Sequence, residues 1–338
     1  MKRLFKTIVV IIIMFLLTAL CSCDSSLNDY LAPVGAAEGD GYIDKSGRYV
    51  ILPQFEAADE FTENGLARVQ DKDTGLFGYI DKSGKYVIEP QFPAVYTADT
   101  ADLSIEEKGF SSNGLALVLD PNSMLFGYID STGKYVIQPR FYWALEFAEN
   151  GLAAAIDENS GTCGYIDETG KYVIELQEKS RLCSFAKNGL AAVFNDGKDE
   201  MSGFGYIDAS GKYVIEPQFG DAGMFGENGL APVEDANNGK WGYIDKTGKV
   251  VIDPQFEAAD EFAENGLACV QDKGLFGYID ASGKYVIEPQ LRRIGMFGEN
   301  GLAPVEDENN GKWGYMDKTG KVIITPAFEY CKPFTKTK

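Results

Sequence analysis

The chain repeats one short sequence eight times, and this repetition limits its fold more than any other feature does. Residues 78–92 carry the copy GYIDKSGKYVIEPQF, and successive copies start 35 to 49 residues apart, most often 37. Their first residues are Gly41, Gly78, Gly127, Gly164, Gly205, Gly242, Gly277 and Gly314. A fixed period of this length predicts similar units, each of which buries its apolar face against its neighbours.

Each copy predicts a β-hairpin. Residues 79–81 and 85–88 are rich in aromatic and β-branched side chains, which favour strands. Asp81 is short enough to accept hydrogen bonds from the N–H groups of the turn, Gly84 allows a positive φ, and Pro90 ends the second strand. A structural turn role is therefore predicted for Asp44, Asp81, Asp130, Asp167, Asp208, Asp245, Asp280 and Asp317. Calcium binding is the alternative, but calcium usually takes several acidic ligands from one short loop.

A second signature, Asn-Gly-Leu-Ala, lies between the copies and predicts a third strand in each unit. Its glycines are Gly65, Gly114, Gly151, Gly189, Gly229, Gly266 and Gly301. In the strand that follows Gly65, Ala67 and Val69 point to one face. The residue between them is Arg68, and its counterparts vary as far as Pro304. This variation predicts that the position faces solvent.

The predicted fold is all-β, a tandem array of about eight antiparallel hairpin or three-strand units with a period of roughly 37 residues. The array begins at a bare hairpin at Gly41, and the chain ends soon after Pro326 without an obvious missing strand. An open array, elongated or superhelical, is therefore expected. A closed β-propeller is the alternative, since eight copies lie within its range of blades, although a blade normally has four strands.

The N-terminus predicts export. Residues 1–22 carry Lys2, Arg3 and Lys6 followed by an apolar run too short to span a bilayer, which is typical of a signal peptide. The end of this run resembles a bacterial lipobox, in which Cys23 is the residue that receives the lipid. An uncleaved anchor and a plain secretory signal are the alternatives. Residues 23–40 predict a flexible tether, and residues 41–338 form the repeat domain.

Charge and composition exclude several functions. The formal net charge is -20 at pH 7, and loss of the signal peptide makes it more negative. Nucleic acids are therefore poor partners because they would be repelled. Histidine is absent, which removes the usual general base and the commonest metal ligand. Acidic residues such as Asp235, Glu306 and Asp307 recur with the repeat. No catalytic residue, metal or cofactor is predicted.

The motifs resemble those of the bacterial WG-repeat (KWG-repeat) family. Lys-Trp-Gly-Tyr occurs at residues 240–243 and 312–315, and the turn, the Pro-x-Phe ending and Asn-Gly-Leu-Ala follow in fixed order. The resemblance runs from Gly41 to about Phe334. Phe77, Phe126, Phe204, Phe276 and Cys163 replace the tryptophan in other copies. The resemblance implies a binding or scaffolding role on an envelope-associated protein, and it transfers no catalytic residue.

Residues that do not recur are the candidates for recognition. Tyr142 and Trp143 replace the usual Glu-Ala after Pro-x-Phe, and Tyr96 borders an insertion. Arg292 and Arg293 interrupt an acidic pattern at one place. Exposed aromatic side chains can anchor a protein partner or stack on sugar rings.

The cysteines of the repeat domain lie at unrelated positions in the repeat, as small hydrophobic residues would. A disulfide between Cys163 and Cys183 is an open alternative in an oxidising compartment.

These features together predict a non-enzymatic lipoprotein of the bacterial cell envelope, anchored to a membrane through its N-terminal lipid. Its repeat surface is expected to bind an envelope or extracellular protein, or to act as a scaffold or spacer. Glycan binding by the unrepeated aromatic residues is the alternative. A divergent hydrolase is a third, less favoured hypothesis.

Overall fold

Seven antiparallel β-sheets form a ring in the computed structural model, which describes residues 29–94, 109–176, 181–196 and 202–337. The regular structure of these residues consists of strands. None of the described segments is a helix long and apolar enough to cross a bilayer.

The strands follow the order of the repeats. The first two sheets contain β1 (Tyr30–Ala36), β2 (Gly39–Asp44) and β3 (Tyr49–Phe55), then β4 (Ala57–Phe61), β5 (Ala67–Gln70), β6 (Phe77–Ile80) and β7 (Tyr86–Phe92). The third sheet contains β8 (Ala116–Leu119), β9 (Phe126–Ile129), β10 (Tyr135–Ala144), β11 (Ala153–Asp157), β12 (Cys163–Ile166) and β13 (Tyr172–Leu176). The fourth contains β14 (Ala191–Asp196), β15 (Ser202–Ile207) and β16 (Tyr213–Phe219).

The remaining sheets complete the ring. The fifth contains β17 (Asp221–Ala222), β18 (Leu230–Glu234), β19 (Trp241–Asp245) and β20 (Val250–Phe256). The sixth contains β21 (Ala258–Ala259), β22 (Ala268–Asp272), β23 (Leu275–Ile279) and β24 (Tyr285–Leu291). The seventh contains β25 (Leu302–Asp307), β26 (Lys312–Asp317) and β27 (Val322–Phe328), whereas the last strand, β28 (Thr335–Lys336), joins the first sheet.

The seven sheets hold eight repeat units, because one strand runs through two of them. In β10, Phe141 pairs with Phe126 of β9, while Trp143 and Ala144 pair with Ile156 and Ala155 of β11. The corresponding stretch elsewhere is divided into two strands, such as β20 and β21. The six-stranded sheet therefore contains the third and fourth units joined end to end.

The expected open array is wrong, because the structure is a closed β-propeller. The end of the chain pairs with its beginning: Leu31 pairs with Thr335 and Tyr30 with Lys336, and Val34 forms an isolated bridge with Cys331. The first unit is complete, since residues 31–34 repeat the Leu-Ala-Pro-Val sequence of β18 and β25. Residues 30–40, for which the sequence predicts part of a flexible tether, instead form β1, the turn after it and the start of β2 in the first sheet.

Each interface between neighbouring units buries one apolar cluster, and eight such clusters complete the ring. In every cluster the tyrosine of a middle strand packs on a phenylalanine of the segment that enters the next unit. The ring centroids lie 4.7–4.9 Å apart in the pairs Tyr42–Phe61, Tyr79–Phe110, Tyr128–Phe147, Tyr165–Phe185, Tyr206–Phe225, Tyr243–Phe262, Tyr278–Phe297 and Tyr315–Phe334. We call this contact the Tyr–Phe clamp.

The tyrosine hydroxyls strengthen the clamps. Tyr243 donates a hydrogen bond to the Asp260 carbonyl at 2.8 Å, and Tyr315 donates to the Lys332 carbonyl at 2.7 Å. Tyr42, Tyr128, Tyr165, Tyr206 and Tyr278 make the equivalent bond. Each buried hydroxyl in this set thus has a partner, as burial of a polar group requires.

Both faces of the middle strands are buried, because every unit is packed between two others. The prediction that Arg68 and its counterparts face solvent is therefore wrong: Arg68 is 9% exposed, and Leu117 and Ala154 are buried as well. Arg68 pairs with Asp59 of its own sheet, whereas Leu117, Ala154, Ala192 and Cys269 belong to the apolar clusters between units.

The first glycine of each copy is required by a close approach of two strands. A Cβ on Gly78 would lie 2.6 Å from the Ile88 carbonyl oxygen, where a register shift bends β7 towards β6. The turn glycine Gly84 has φ of 82° and packs on Ile51 of the preceding unit. Gly47 packs in the same way on Ile324, so the last and first units meet like any other pair.

We expect Phe334→Ala and Phe262→Ala to destabilise the protein equally, by about 3–5 kcal/mol each, because both remove a buried clamp ring. The measurement is urea unfolding followed by circular dichroism. Val87→Ala is the control, since Val87 is 48% exposed. A Phe334→Ala variant as stable as the wild type would mean that the chain end is frayed and the ring is open.

Candidate functional site

Seven of the eight unit junctions meet at one cavity. Each junction carries a Phe-x-x sequence, which stands directly before Asn-Gly in the first seven, and we call these sequences the axial tripeptides. They are residues 61–63, 110–112, 147–149, 185–187, 225–227, 262–264, 297–299 and 334–336. The first seven contribute to the lining of a cavity of about 540 Å³. Equivalent residues of seven units can share a cavity only at the centre of the ring, so the cavity is axial.

The local fold presents the third residue of each tripeptide at the mouth of this cavity. Thr62 N–H donates to the Leu66 carbonyl, and Gly65 N–H donates to the Thr62 carbonyl, both at 2.9 Å. Asn64 Oδ1 accepts a hydrogen bond from the Leu66 amide at 3.1 Å. The resulting tight turn leaves Phe61 buried in its clamp and Glu63 exposed.

Neighbouring tripeptides are in contact, and this contact requires glycine as the second residue of two of them. A Cβ on Gly298 would lie 2.5 Å from the backbone of Phe334, and one on Gly226 would lie 2.6 Å from the Phe262 carbonyl oxygen. The Glu299 amide donates to the Phe334 carbonyl at 3.1 Å. The eighth tripeptide thus continues the circle.

The mouth of the cavity is acidic and its interior is largely apolar. The third residues of the tripeptides in the lining are Glu63, Ser112, Glu149, Lys187, Glu227, Glu264 and Glu299. Phe147, Ala148, Phe185, Ala186 and Met224 are among the apolar lining residues. The arrangement suits a ligand with a cationic group and an apolar stem.

Lys187 is the cation of this lining. Its Nζ lies 3.3 Å from Glu149 Oε1 and also contacts Glu227 Oε1, in the units on either side. The hydrogen bond with Glu227, together with the Glu149 carboxylate, raises the pKa of Lys187 to about 12. An ammonium group is therefore accommodated between adjacent glutamates of the mouth.

The turn aspartates are placed away from this cavity, and each serves its own hairpin. Oδ1 accepts from the backbone N–H two residues on at 2.8–2.9 Å and from the N–H four residues on at 3.1–3.2 Å. It also accepts from a serine or threonine hydroxyl at 2.5–2.6 Å. Among the described residues there is no group of three or more metal-ligating side chains.

These bonds make the turns sensitive to acid. The Ser282 hydroxyl, with the N–H groups of Ser282 and Lys284, holds the pKa of Asp280 below its ordinary value. Because the folded-state pKa is below the unfolded value, the contribution to stability is present above about pH 4 and is lost as the pH falls further.

Trp143 is buried, so its predicted role as an exposed binding aromatic is wrong. It is 3% exposed and belongs to the same apolar cluster as Cys163, which stands where six of the other units have an aromatic residue before the first glycine. Trp143 therefore supplies the apolar bulk that Cys163 lacks. Its neighbour Tyr142 is 51% exposed and lies away from the axial cavity.

The other predicted recognition residues are not gathered into one site. Arg292 Nε lies 3.6 Å from Glu308 Oε2, and Arg293 Nε lies 3.6 Å from Glu306 Oε2, so the arginines pair with the turn after β25 and with β25 itself. Tyr96 and the lipidation candidate Cys23 lie outside the described residues.

Cys163 and Cys183 are free thiols, as are Cys269 and Cys331. The open disulfide alternative is thus not adopted. Burial raises the pKa of Cys163 to about 11, which leaves the thiol protonated at neutral pH.

The axial glutamates were overlooked in the sequence, although a signal was present. Phe-x-Glu precedes Asn-Gly-Leu-Ala in five of the seven copies of that signature. A residue that recurs in every unit is typically structural, so the sequence pattern did not single out the glutamate. Ring closure, however, places the recurring glutamates around one axis.

Comparison with protein families matches the WG-containing repeat at residues 41–74, 77–98, 126–159, 164–198, 204–241, 241–275, 276–313 and 313–336. Comparison with curated proteins gives no match.

Two similar solved structures support the propeller fold. A crystal structure of the eukaryotic initiation factor is 12% identical with a TM-score of 0.54, covering 90% of this chain and 97% of that one. Apo AztD from Citrobacter koseri is 13% identical with a TM-score of 0.50, covering 90% and 96%. Likeness at these identities shows the fold alone.

We expect Asp280→Ala to lower the melting temperature, because the turn loses its three acceptor bonds, and to make stability less dependent on pH below about pH 4. The measurement is thermal unfolding across pH, with Asp253→Ala as control because Asp253 is exposed on β20. A calcium-dependent rise in the wild-type melting temperature that is lost in Asp280→Ala would show that the carboxylate serves a metal instead.

Proposed function

Because the chain belongs to the WG-containing repeat family, whose repeats here build a β-propeller, we propose that it is a non-enzymatic scaffold that binds a cationic protein segment at its axial mouth. The observation that carries this proposal is the convergence of Glu63, Glu149, Glu227, Glu264 and Glu299 on one cavity.

The size and chemistry of the cavity support a protruding lysine or arginine side chain as the bound group. About 540 Å³ lies within the range of cavities that bind small ligands or anchoring side chains. The apolar wall can contact the aliphatic stem of such a side chain, while the glutamates attract its charge. Lys187 shows that the mouth holds an ammonium group between two carboxylates.

The overall charge favours the same kind of partner. A net charge of -20 attracts cationic proteins at long range and repels nucleic acids and anionic lipids. The absence of histidine and the recurrence of the acidic residues support binding over catalysis.

The proposal includes an envelope location and lipidation of Cys23, which the pattern of the N-terminal residues supports. Tyr30 pairs with Lys336 of the eighth axial tripeptide, so the chain enters the propeller beside the axial mouth. Six residues separate Cys23 from Tyr30, so the two Cα atoms can lie at most about 25 Å apart in an extended chain. The mouth would then lie near the membrane, within reach of a basic segment of a membrane protein.

The binding proposal is tested with a fluorescent hexa-arginine peptide and fluorescence anisotropy. We expect the quadruple variant Glu149→Gln, Glu227→Gln, Glu264→Gln, Glu299→Gln to weaken binding by at least about 10-fold, since a charged contact is worth about 1–3 kcal/mol. Added salt should weaken wild-type binding more than variant binding.

A control with the same change in net charge separates the site from bulk electrostatics. Glu89, Glu175, Glu216 and Glu288 are exposed at one equivalent position on the outer strands of four units. The variant with all four changed to glutamine should bind the peptide within about 2-fold of the wild type. Equal losses in the two variants would refute an axial site.

The lipid anchor is tested separately. Mass spectrometry of the protein purified from membranes should find diacylglycerol on Cys23, and Cys23→Ala should move the protein to the soluble fraction. A mature N-terminus at another residue would disprove the anchor without affecting the axial binding experiment.

A further inference from the structure

Asp40 occupies a position that is apolar in every other unit. The residue before the first glycine of each copy is Phe77, Phe126, Cys163, Phe204, Trp241, Phe276 or Trp313, but it is Asp40 in the first unit. Asp40 is only 3% exposed. A buried carboxyl group at an otherwise apolar position suggests a specific role.

The Asp40 carboxyl group links the segment that enters the first unit to the segment that enters the second. Its Oδ2 accepts a hydrogen bond from the Ala58 amide of β4 at 2.8 Å and another from the Tyr330 hydroxyl. Tyr330 belongs to residues 329–337, which close the ring and which we call the closing segment. Its ring covers Gly35, where a Cβ would lie 2.5 Å from a ring carbon.

Tyr330 holds the place that Trp143 holds in the fourth unit. Each stands two residues after the phenylalanine of the last hairpin strand, Phe328 or Phe141, and each enters a unit whose own aromatic position is occupied by a small residue. In the fourth unit that residue is Cys163, and the contact is apolar. In the first unit it is Asp40, and the same contact includes a group that can gain or lose a proton.

Two cationic side chains near Asp40 pair with Asp59, so they offset the charge of the Asp40 carboxylate only in part. Lys332 of the closing segment binds Asp59 at 2.6 Å, and Arg68 of β5 binds the other Asp59 oxygen at 2.9 Å. Glu56 adds negative charge from the junction of β3 and β4. Glu38, Lys72 and Glu329 line an adjoining cavity of about 370 Å³ with Asp40 and Tyr330.

Burial therefore favours the neutral carboxylic acid. It raises the pKa of Asp40 to about 6, against the opposing effects of the Ala58 amide and Lys332, and Glu56 and Asp59 add to the increase. The corresponding group in an unfolded or opened chain has its ordinary value near about 4.

We propose that Asp40 is a proton-dependent latch on ring closure, which holds the closing segment more tightly when its carboxyl group is protonated. Because the closed form has the higher pKa, closing takes up a proton. The added stability is complete below about pH 4 and is lost as the pH rises through about 6. A difference of about two pKa units corresponds to about a 100-fold change in the equilibrium between closed and opened seams.

Hydrogen exchange of the purified protein tests the latch. Protection of the closing segment is compared, at each pH, with protection of residues 220–228, the equivalent segment that enters the unit of Trp241. The ratio removes the dependence of chemical exchange on pH. We expect it to fall by up to about 100-fold between about pH 4 and about pH 7.5 in the wild type, and to stay within about 2-fold in Asp40→Asn.

Two outcomes would overturn the proposal. One is a wild-type ratio that does not change with pH, which decides the matter even if Asp40→Asn fails to fold. The other is a protection ratio that depends on pH equally in the wild type and in Asp40→Asn, which would assign the pH dependence to other titratable groups. Tyr330→Phe is a second variant, expected to lower protection of the closing segment because Asp40 loses one of its partners.

Discussion

The propeller depends on the Tyr–Phe clamp, which is formed once at each of the eight junctions. A buried aromatic pair contributes about 0.5–1.5 kcal/mol beyond the burial of its area. In seven of the clamps the tyrosine hydroxyl also donates a hydrogen bond to a backbone carbonyl of the segment that enters the next unit. The clamp joins units through side chains, so neighbouring sheets need no shared backbone ladder. It also joins the last unit to the first, since Tyr315 and Phe334 meet as Tyr243 and Phe262 do.

The clamp positions the candidate site as well as the core. Once the phenylalanine of an axial tripeptide is fixed, the tight turn that follows carries the third residue to the axis. The Tyr–Phe clamp thus sets the common location of the glutamates, although no glutamate side chain is part of it. An open array would distribute the same glutamates along its length, and their charges would not meet. Closure is therefore the step that gathers a repeated acidic residue into one acidic mouth.

Local structure was predictable from the sequence, whereas closure was not. The strands of each hairpin and its turn aspartates, such as Asp81, follow from local composition, because turn chemistry is decided within a few residues. Closure depended on residues 31–34, a copy of Leu-Ala-Pro-Val hidden in a segment without a hairpin motif of its own. The burial of Trp143 could not be inferred either. Its partner is Cys163, twenty positions away, and only the packed structure shows that one compensates for the other.

The closing segment joins the two parts of the molecule that distinguish it from a simple repeat array. At one end Tyr330 reaches the buried carboxyl group of Asp40, and at the other the Lys336 amide donates to Glu299 Oε2 at 3.2 Å in the axial mouth. Four residues after Tyr330, Phe334 completes the last clamp. Movement of this segment would therefore disturb the eighth tripeptide and its contact with Glu299 while the other junctions stayed closed. If the proposed latch holds, proton binding at Asp40 would reach the acidic mouth through this short run of backbone.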